Sequence, residues 1–436
     1  MKKFLKKHIG IAILLAIIFA FPASMSTQAR LNMRIIITGL AIDKTDSGYE
    51  VTAQIVKTAP GSGAEKSGAT IDFVTDTGET IVSAISKLSY KSGKVAGFSH
   101  TNFILIGKEM LEENLMKTLN YFLRDNIIKD SVLLLVAKES ASEEIKKTKE
   151  LGLSVGLEIQ KVFVYKEKES DGAMTSLVSF VNDSLNYSKT SVVSVLSMNK
   201  DSQNNGQNGS SQGGSGSSSE QENGGGTSEN NSSQNQSSNS SEGGGESSSG
   251  GSSSESKTEY FDAITPLACF VDGTFVGKLE TDDEVIGYMF AERKSTAEDI
   301  SIKDVNCGQL KNAIVGIDAK YKNCKKKIRF ENDIPCLDIN IKITNSSIKE
   351  IQNESLVQNV SSEEFEFIKT KMQEEISKKV VSAFEKSKEF KADIFGAFDI
   401  ATKFHYTQTK GKFESMEDFL SKLKLNVNVK VLRLEF

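Results

Sequence analysis

The chain of 436 residues contains no tryptophan, three histidines, four cysteines and four prolines. Each scarcity excludes something. The cysteines, Cys269, Cys307, Cys324 and Cys336, form no C-x-x-C pair, and no histidine stands at zinc-ligand spacing from them, so no structural metal site is expected. His100 in "GFSHTNF" and His405 in "KFHYTQ" have no nucleophile arranged around them, and a histidine beside a strand is more often hydrogen-bonded structure than catalyst. There is no G-x-S-x-G, H-E-x-x-H, Walker A or dinucleotide-binding glycine pattern. The glycines around Gly61 in "GSGAEKSG" lack the ending a phosphate-binding loop requires and read as a mobile loop. The acidic pairs Asp282–Asp283 and Glu363–Glu364 stand at helix starts, where they favour the helix dipole. Net charge is only −5 and both signs are mixed throughout, with no basic block for nucleic acid. By residue chemistry the chain is not an enzyme, and no cofactor is implied.

What is present begins with a positive start, Lys2, Lys3, Lys6 and Lys7, and an apolar run from Ile9 to Phe21. Thr27 and Ala29 suit the −3 and −1 positions of a cleavage site. The run is shorter than the roughly 20 residues that span a bilayer as a helix. The segment 1–29 therefore reads as an export signal cleaved after Ala29 or as an uncleaved N-terminal anchor. Export would permit one or two disulfides; small buried thiols are the alternative. The 38% hydrophobic content is low because 201–256 is almost entirely Ser, Gly, Asn, Gln and Glu. Such a tract cannot bury apolar surface and is expected to be disordered. It joins two strand-like segments, so it reads as a long loop inside one domain.

Hydrophobic periodicity gives mixed elements. "RIIITGLAIDKTDSGYEVTAQIVK" is a hairpin. Thr77 or Asp76 is expected to cap a helix that buries Ile81, Ala84, Ile85 and Leu88. "HTNFILIGKEM" and "DSVLLLVAKES" read as buried strands flanking one amphipathic helix through Leu111, Leu115, Leu119, Phe122 and Leu123. A helix continues from Ser142 to Glu150, and another places Met174, Leu177, Val178 and Val181 on one side. "TSVVSVLSM" is a strand, and "YFDAITPLACFVDGTFVGKL" a hairpin turning at Asp272-Gly273, followed by a short helix from Thr281. In "CLDINIKITN", Leu337, Ile339, Ile341 and Ile343 face one way and Asp338, Asn340 and Lys342 the other. A long helix over 363–389 carries Phe365, Ile368, Met372, Ile376, Val380 and Phe384 as a core stripe. The chain breaks at Gly396 and closes with the strand "NVNVKVLRLEF", where a phase slip between Val431 and Leu432 implies a bulge or two-sided burial.

Several motifs occur in one order: the strand end Gly39 to Lys44; "GETIVSAISKLSYKSGKVAGFSHTNFILIGKEML"; "YFLRDNIIKDSVLLLVAKESASEEI"; "ACFVDGTFVGKLETDDEVIGY"; and "KADIFGAFDIATK". In this the sequence resembles the Ger(x)C family, the C subunits of bacterial spore germinant receptors. The resemblance runs from about Met33 to Phe436, apart from the tract. It implies an α+β fold of three small mixed domains, taken as 30–140, 141–320 with the insertion, and 321–436. It implies a non-catalytic structural or signal-coupling subunit on the outer face of the spore inner membrane, beside an A subunit and a transporter-like B subunit. The positions carrying the motifs are Asp43, His100, Arg124, Asp125, Gly277, Asp393 and Gly396, all expected to be structural. One departure is clear: where the family has a lipid-bearing cysteine followed by tryptophan, the window near Ala23 to Met25 has neither, so no diacyl anchor can form there. The alternative is an exported, envelope-associated binding module that reuses the fold.

Overall fold

A computed structural model describes residues 34–58, 69–124, 128–150, 157–198, 261–262, 264–292, 297–353 and 359–436. The expectations for the N-terminal segment, the Gly61 loop, Asp125 and the Ser/Gly/Asn tract lie outside these residues.

The first half is built from β1 (Arg34–Thr45), β2 (Gly48–Thr58), β3 (Ala69–Gly78), α1 (Ile81–Ser92), β4 (Val95–Gly97) and β5 (Phe103–Ile106). A 3-10 turn (Lys108–Glu112), α2 (Leu115–Thr118), α3 (Asn120–Arg124), β6 (Leu133–Ala137), α4 (Ala141–Glu150) and α5 (Leu157–Lys168) follow. Then come α6 (Leu177–Leu185), β7 (Thr190–Leu196), β8 (Leu267–Val271) and β9 (Thr274–Leu279). They make one nine-stranded sheet in the order β3-β2-β1-β5-β6-β7-β8-β9, with β4 beside the start of β1. The neighbours β1, β5, β6 and β7 run parallel, and the hairpins at both ends are antiparallel. Both faces are covered. One core holds Ile42, Ile85, Phe122, Phe180 and Phe270, and the other Ala41, Phe103, Leu135, Ile145 and Phe163. That is why β5 and β6 are unbroken apolar runs, buried along their whole length.

The sheet runs through the expected boundary at 140, since β6 pairs with β7. Strands β7 and β8, which flank the Ser/Gly/Asn tract, pair antiparallel, so the tract is inserted within a sheet. Asp272 and Gly273, with φ of 51° and 74°, form the tight turn that the Asp-Gly dipeptide signals.

The second half contains α7 (Asp282–Ala291), β10 (Ala297–Cys307), β11 (Leu310–Glu331), β12 (Ile334–Gln352) and α8 (Ser362–Glu389). It closes with α9 (Ala397–Phe404), α10 (Tyr406–Thr409), α11 (Met416–Lys422), β13 (Lys424–Val431) and β14 (Leu434–Glu435). The order β10-β11-β12-β13, with β14 also on β12, makes a five-stranded sheet. Leu337, Ile339, Ile341 and Ile343 share a core with Ile368, Met372, Ile376, Val380 and Phe384 of α8. Both α7 and α8 start with full capping boxes, on Thr281/Glu284 and Ser361/Glu364. The two helices touch backbone to backbone: a Cβ on Gly287 would lie 2.0 Å from the Lys379 carbonyl oxygen.

Several expectations change. Residues 69–78 form a strand paired along its whole length with β2, so the cap of α1 moves to Thr80, whose hydroxyl accepts from the Ser83 amide at 3.1 Å. The single helix over 111–124 is three short pieces. Asn114 caps α2 and donates to the Asp272 carbonyl at 2.6 Å, while the Leu115 amide donates to the Gly273 carbonyl at 2.8 Å. Docking onto the β8–β9 turn breaks the helix there. Helix α6 buries Leu177, Phe180 and Ser184 rather than the face through Val178, because Phe180 turns in edge-on to Phe270 at 5.4 Å. Helix α5 and the long strands β10 and β11 were not foreseen. The phase slip after Val431 is no bulge. Val431 pairs with Ile343 and Leu434 with Ser346, three residues on each strand, and Leu432 is exposed. All four cysteines are thiols, three of them buried.

Candidate functional site

Four of the motif residues hold elements together or stand at the helix starts where elements join. Asp43 lies near the end of β1, and its carboxylate accepts from the amides of Ala141 and Ser142, both at 2.7 Å, which caps α4 from a neighbouring strand. Burial pushes this carboxyl up, and the two amide bonds oppose that. Gly277 leaves room for the Phe390 ring, whose edge atoms would lie 2.4–2.6 Å from any Cβ there. The exit of α8 is thereby seated on β9 of the first sheet. Gly396, at φ 65°, begins α9 in a conformation other residues rarely adopt. Asp393 is buried and accepts from the amides of Ala397 (2.8 Å) and Phe398 (2.7 Å) at the start of that helix. His100 and Arg124 are exposed, and in the turn before β5 the bracing falls to Thr101, whose hydroxyl donates to the Ile37 carbonyl at 3.2 Å. Asp125 lies outside the described residues.

Asp393 and Gly396 stand in the wall of a cleft of about 440 Å³ between α6–β7 of the first half and α7, β11 and α9 of the second. The Asp393 amide donates to Thr190 Oγ1 at 3.2 Å. Asp399 of α9 accepts from the amide and the hydroxyl of Ser188, both at 2.9 Å. Lys326 bridges Glu292 (2.7 Å) and the Phe395 carbonyl (3.2 Å). Glu167, Asp183, Glu292, Asp393 and Asp399 line the cleft against one cation, Lys326. Burial pushes the Asp393 carboxyl up to about 6 despite its two amide donors, and raises the Tyr288 phenol well above its ordinary value. The lining has no histidine or cysteine, and the Asp393 and Asp399 carboxylates are engaged in holding backbone. The arrangement joins two halves of the fold and presents an acidic, hydrogen-bonding wall. Among the described residues, no cluster of His, Cys, Asp and Glu could hold a metal ion.

Sequence reading found Asp393 and Gly396 but not Ser188, Thr190, Asp399 or Phe390. The signal for Asp399 was its place in the first turn of a helix. Its partners lie more than 200 residues away, where no local pattern reaches.

Two family profiles match the chain. One described as "Spore germination protein N-terminal domain" covers residues 27–198, and one described as "Spore germination B3/ GerAC like, C-terminal" covers 265–433. The chain belongs to the Ger(x)C family of spore germination proteins. The interval between the two matches is the Ser/Gly/Asn tract with the few residues that flank it. The Spore germination protein B3 of Bacillus subtilis (strain 168) is 34% identical to this Ger(x)C chain over 109 residues, 24% of the chain and 28% of that relative. A crystal structure titled for the GerBC protein is similar at 14% identity with a TM-score of 0.48, covering 91% of this chain and 97% of that one.

Proposed function

We propose that this Ger(x)C chain is the non-catalytic C subunit of a germinant receptor in nutrient-triggered spore germination. In this reading it works at the outer face of the spore inner membrane as a structural or signal-coupling component beside A and B membrane subunits. The observation that carries the reading is the two-profile match in family order, together with what the motif residues do: Asp43, Gly277, Asp393 and Gly396 join elements. The chain is exported and, with no cysteine in the window near Ala23 to Met25, is held through its N-terminal apolar segment or by its partners. Affinity purification of the tagged full chain from detergent-solubilised spore membranes tests this. Recovery of the A and B subunits with it is expected. Recovery of the intact chain from the spore cytosol, or from the membrane with neither subunit, would overturn the assignment. The second reading, an envelope-associated binding module, is favoured by one observation, the missing lipid-bearing cysteine, and predicts membrane recovery without A or B.

A further inference from the structure

At the N-terminal end of the first sheet lies a groove of about 980 Å³ whose lining includes Arg34, Ile36, Lys57, Lys91 and Lys94. Strand β4 pairs in parallel with the start of β1, Arg34 opposite Val95 and Ile36 opposite Gly97. Paired residues share a face, and so do residues two apart, so Arg34, Ile36 and Val95 stand together on one side. Ile36 is 44% exposed, Val95 59%, and Tyr90, beside Lys91, 83%. Lys57 and Lys91 pair with Asp72 and Asp76, whereas Arg34 and Lys94 make no ion pair among the described residues. The four cations of the lining thus exceed these two carboxylates by two.

We infer that this face is a second membrane contact, docking on an anionic lipid surface. Three features favour a bilayer over a protein. The lining sets four cations and no carboxylate beside its apolar residues Ile35, Ile36, Ile55, Val56, Phe73 and Val74. Tyr90, exposed beside Lys91 on α1, carries an aromatic hydroxyl of the kind enriched at membrane interfaces. In sequence the face follows the apolar run Ile9–Phe21: twelve residues separate Phe21 from Arg34, and thirteen extended residue steps reach about 45 Å at most. That run is too short to span a bilayer comfortably, and a weak single attachment becomes stable when a basic patch is added to it. The inference rests on the membrane location proposed above but not on receptor membership.

The absence of tryptophan supplies the assay. In the full chain, Val95→Trp is a single reporter, read for emission shift and for quenching by brominated lipid in phosphatidylcholine/phosphatidylglycerol vesicles. Tyr187→Trp, on the loop between α6 and β7, is the comparison. The expected result is a blue shift and severalfold quenching for Val95→Trp only. Adding Arg34→Glu, Lys91→Glu and Lys94→Glu should weaken it by roughly fivefold or more for each cation, while the chain stays bound to vesicles. Four results would overturn the proposal: equal quenching of the two reporters; a blue shift of Val95→Trp without lipid, which would mean that the chain itself fills the groove; equal quenching in pure phosphatidylcholine; or protection of Val95→Trp by co-purified A or B subunit in place of lipid. Loss of A and B from the purification with Val95→Trp still quenched would remove the receptor reading and leave this one standing.

Discussion

The two sheets solve burial differently. In the first, the parallel strands β5 and β6 are covered on both faces and every residue is apolar and buried. In the second, β12 alternates, with Leu337, Ile339, Ile341 and Ile343 inward and Asp338, Asn340 and Lys342 on a face that carries only side-chain bonds such as Asn426 to Asp338 at 2.9 Å. One sheet is stabilised by helices on two sides, the other by the single face of α8 and its neighbours. Neither half stands alone in the structure: the Phe390–Gly277 contact, Asp393 with Thr190, and Asp399 with Ser188 tie them together. The comparison shows that one-sided burial concentrates dependence on a few large side chains, and that the joint between halves has two parts: polar bonds, and an apolar core that Val192, Leu267, Cys269 and Leu279 of the first half share with the second.

The sharpest way to break the comparison is to truncate one core. Phe384→Ala should destabilise the second half by roughly 3–5 kcal/mol, as for a fully buried aromatic side chain. Leu134→Ala in β6 should cost roughly 2–5 kcal/mol. Denaturant midpoints of both variants measure this, and a cost well under 1 kcal/mol for Phe384→Ala would mean that the α8 stripe is not core. Next comes pH. Asp393 titrates near 6 when folded and near 4 when unfolded. Between these values the folded chain holds the extra proton, so stability falls as pH rises from about 4 to about 6, by at most about 3 kcal/mol. Burial pushes Asp171 up to about 6 as well, so Asp393→Asn should lower that slope, and Asp171→Asn added to it should lower it further, in a series of melts across this window. An unchanged slope would place the titration elsewhere.

A smaller effect is expected from Gly277→Ala, which forces the Phe390 ring off β9 at a cost of roughly 1–3 kcal/mol. Restoration by an added Phe390→Leu would show that the ring is the obstacle. The smallest belongs to the tract. Deleting 204–253 shortens a connection between paired strands, and loop length changes stability by only about 0.6 kcal/mol per doubling. A cooperative loss of structure on deletion would mean that the tract packs.

Legibility followed the same division. Strand β12 and helix α8 were readable because alternation and a single stripe are local patterns, and the helix start differs by one residue from the sequence reading. Strands β5 and β6 were readable as apolar runs. Strand β11 was not: its inward positions include the small residues Ala313, Ala319 and Cys324 and also Lys322 and Lys326, paired with Ile343 and Ile339, so its period is faint. The helix expected across Asn114 fails because the β8–β9 turn, about 160 residues away, captures Asn114. The joint residues Ser188, Thr190 and Asp399 were invisible for the same reason, since their partners are remote in sequence.

The claim most exposed to test is that this joint, with its polar bonds as well as its shared apolar core, makes one folding unit of two differently built sheets. With no native tryptophan, Phe275→Trp reports on the first core and Phe330→Trp on the second. Equilibrium urea unfolding of the two single-reporter proteins should give coincident transitions, and adding Asp393→Ala to each should separate them. Transitions that are already apart in the single-reporter proteins would contradict the account.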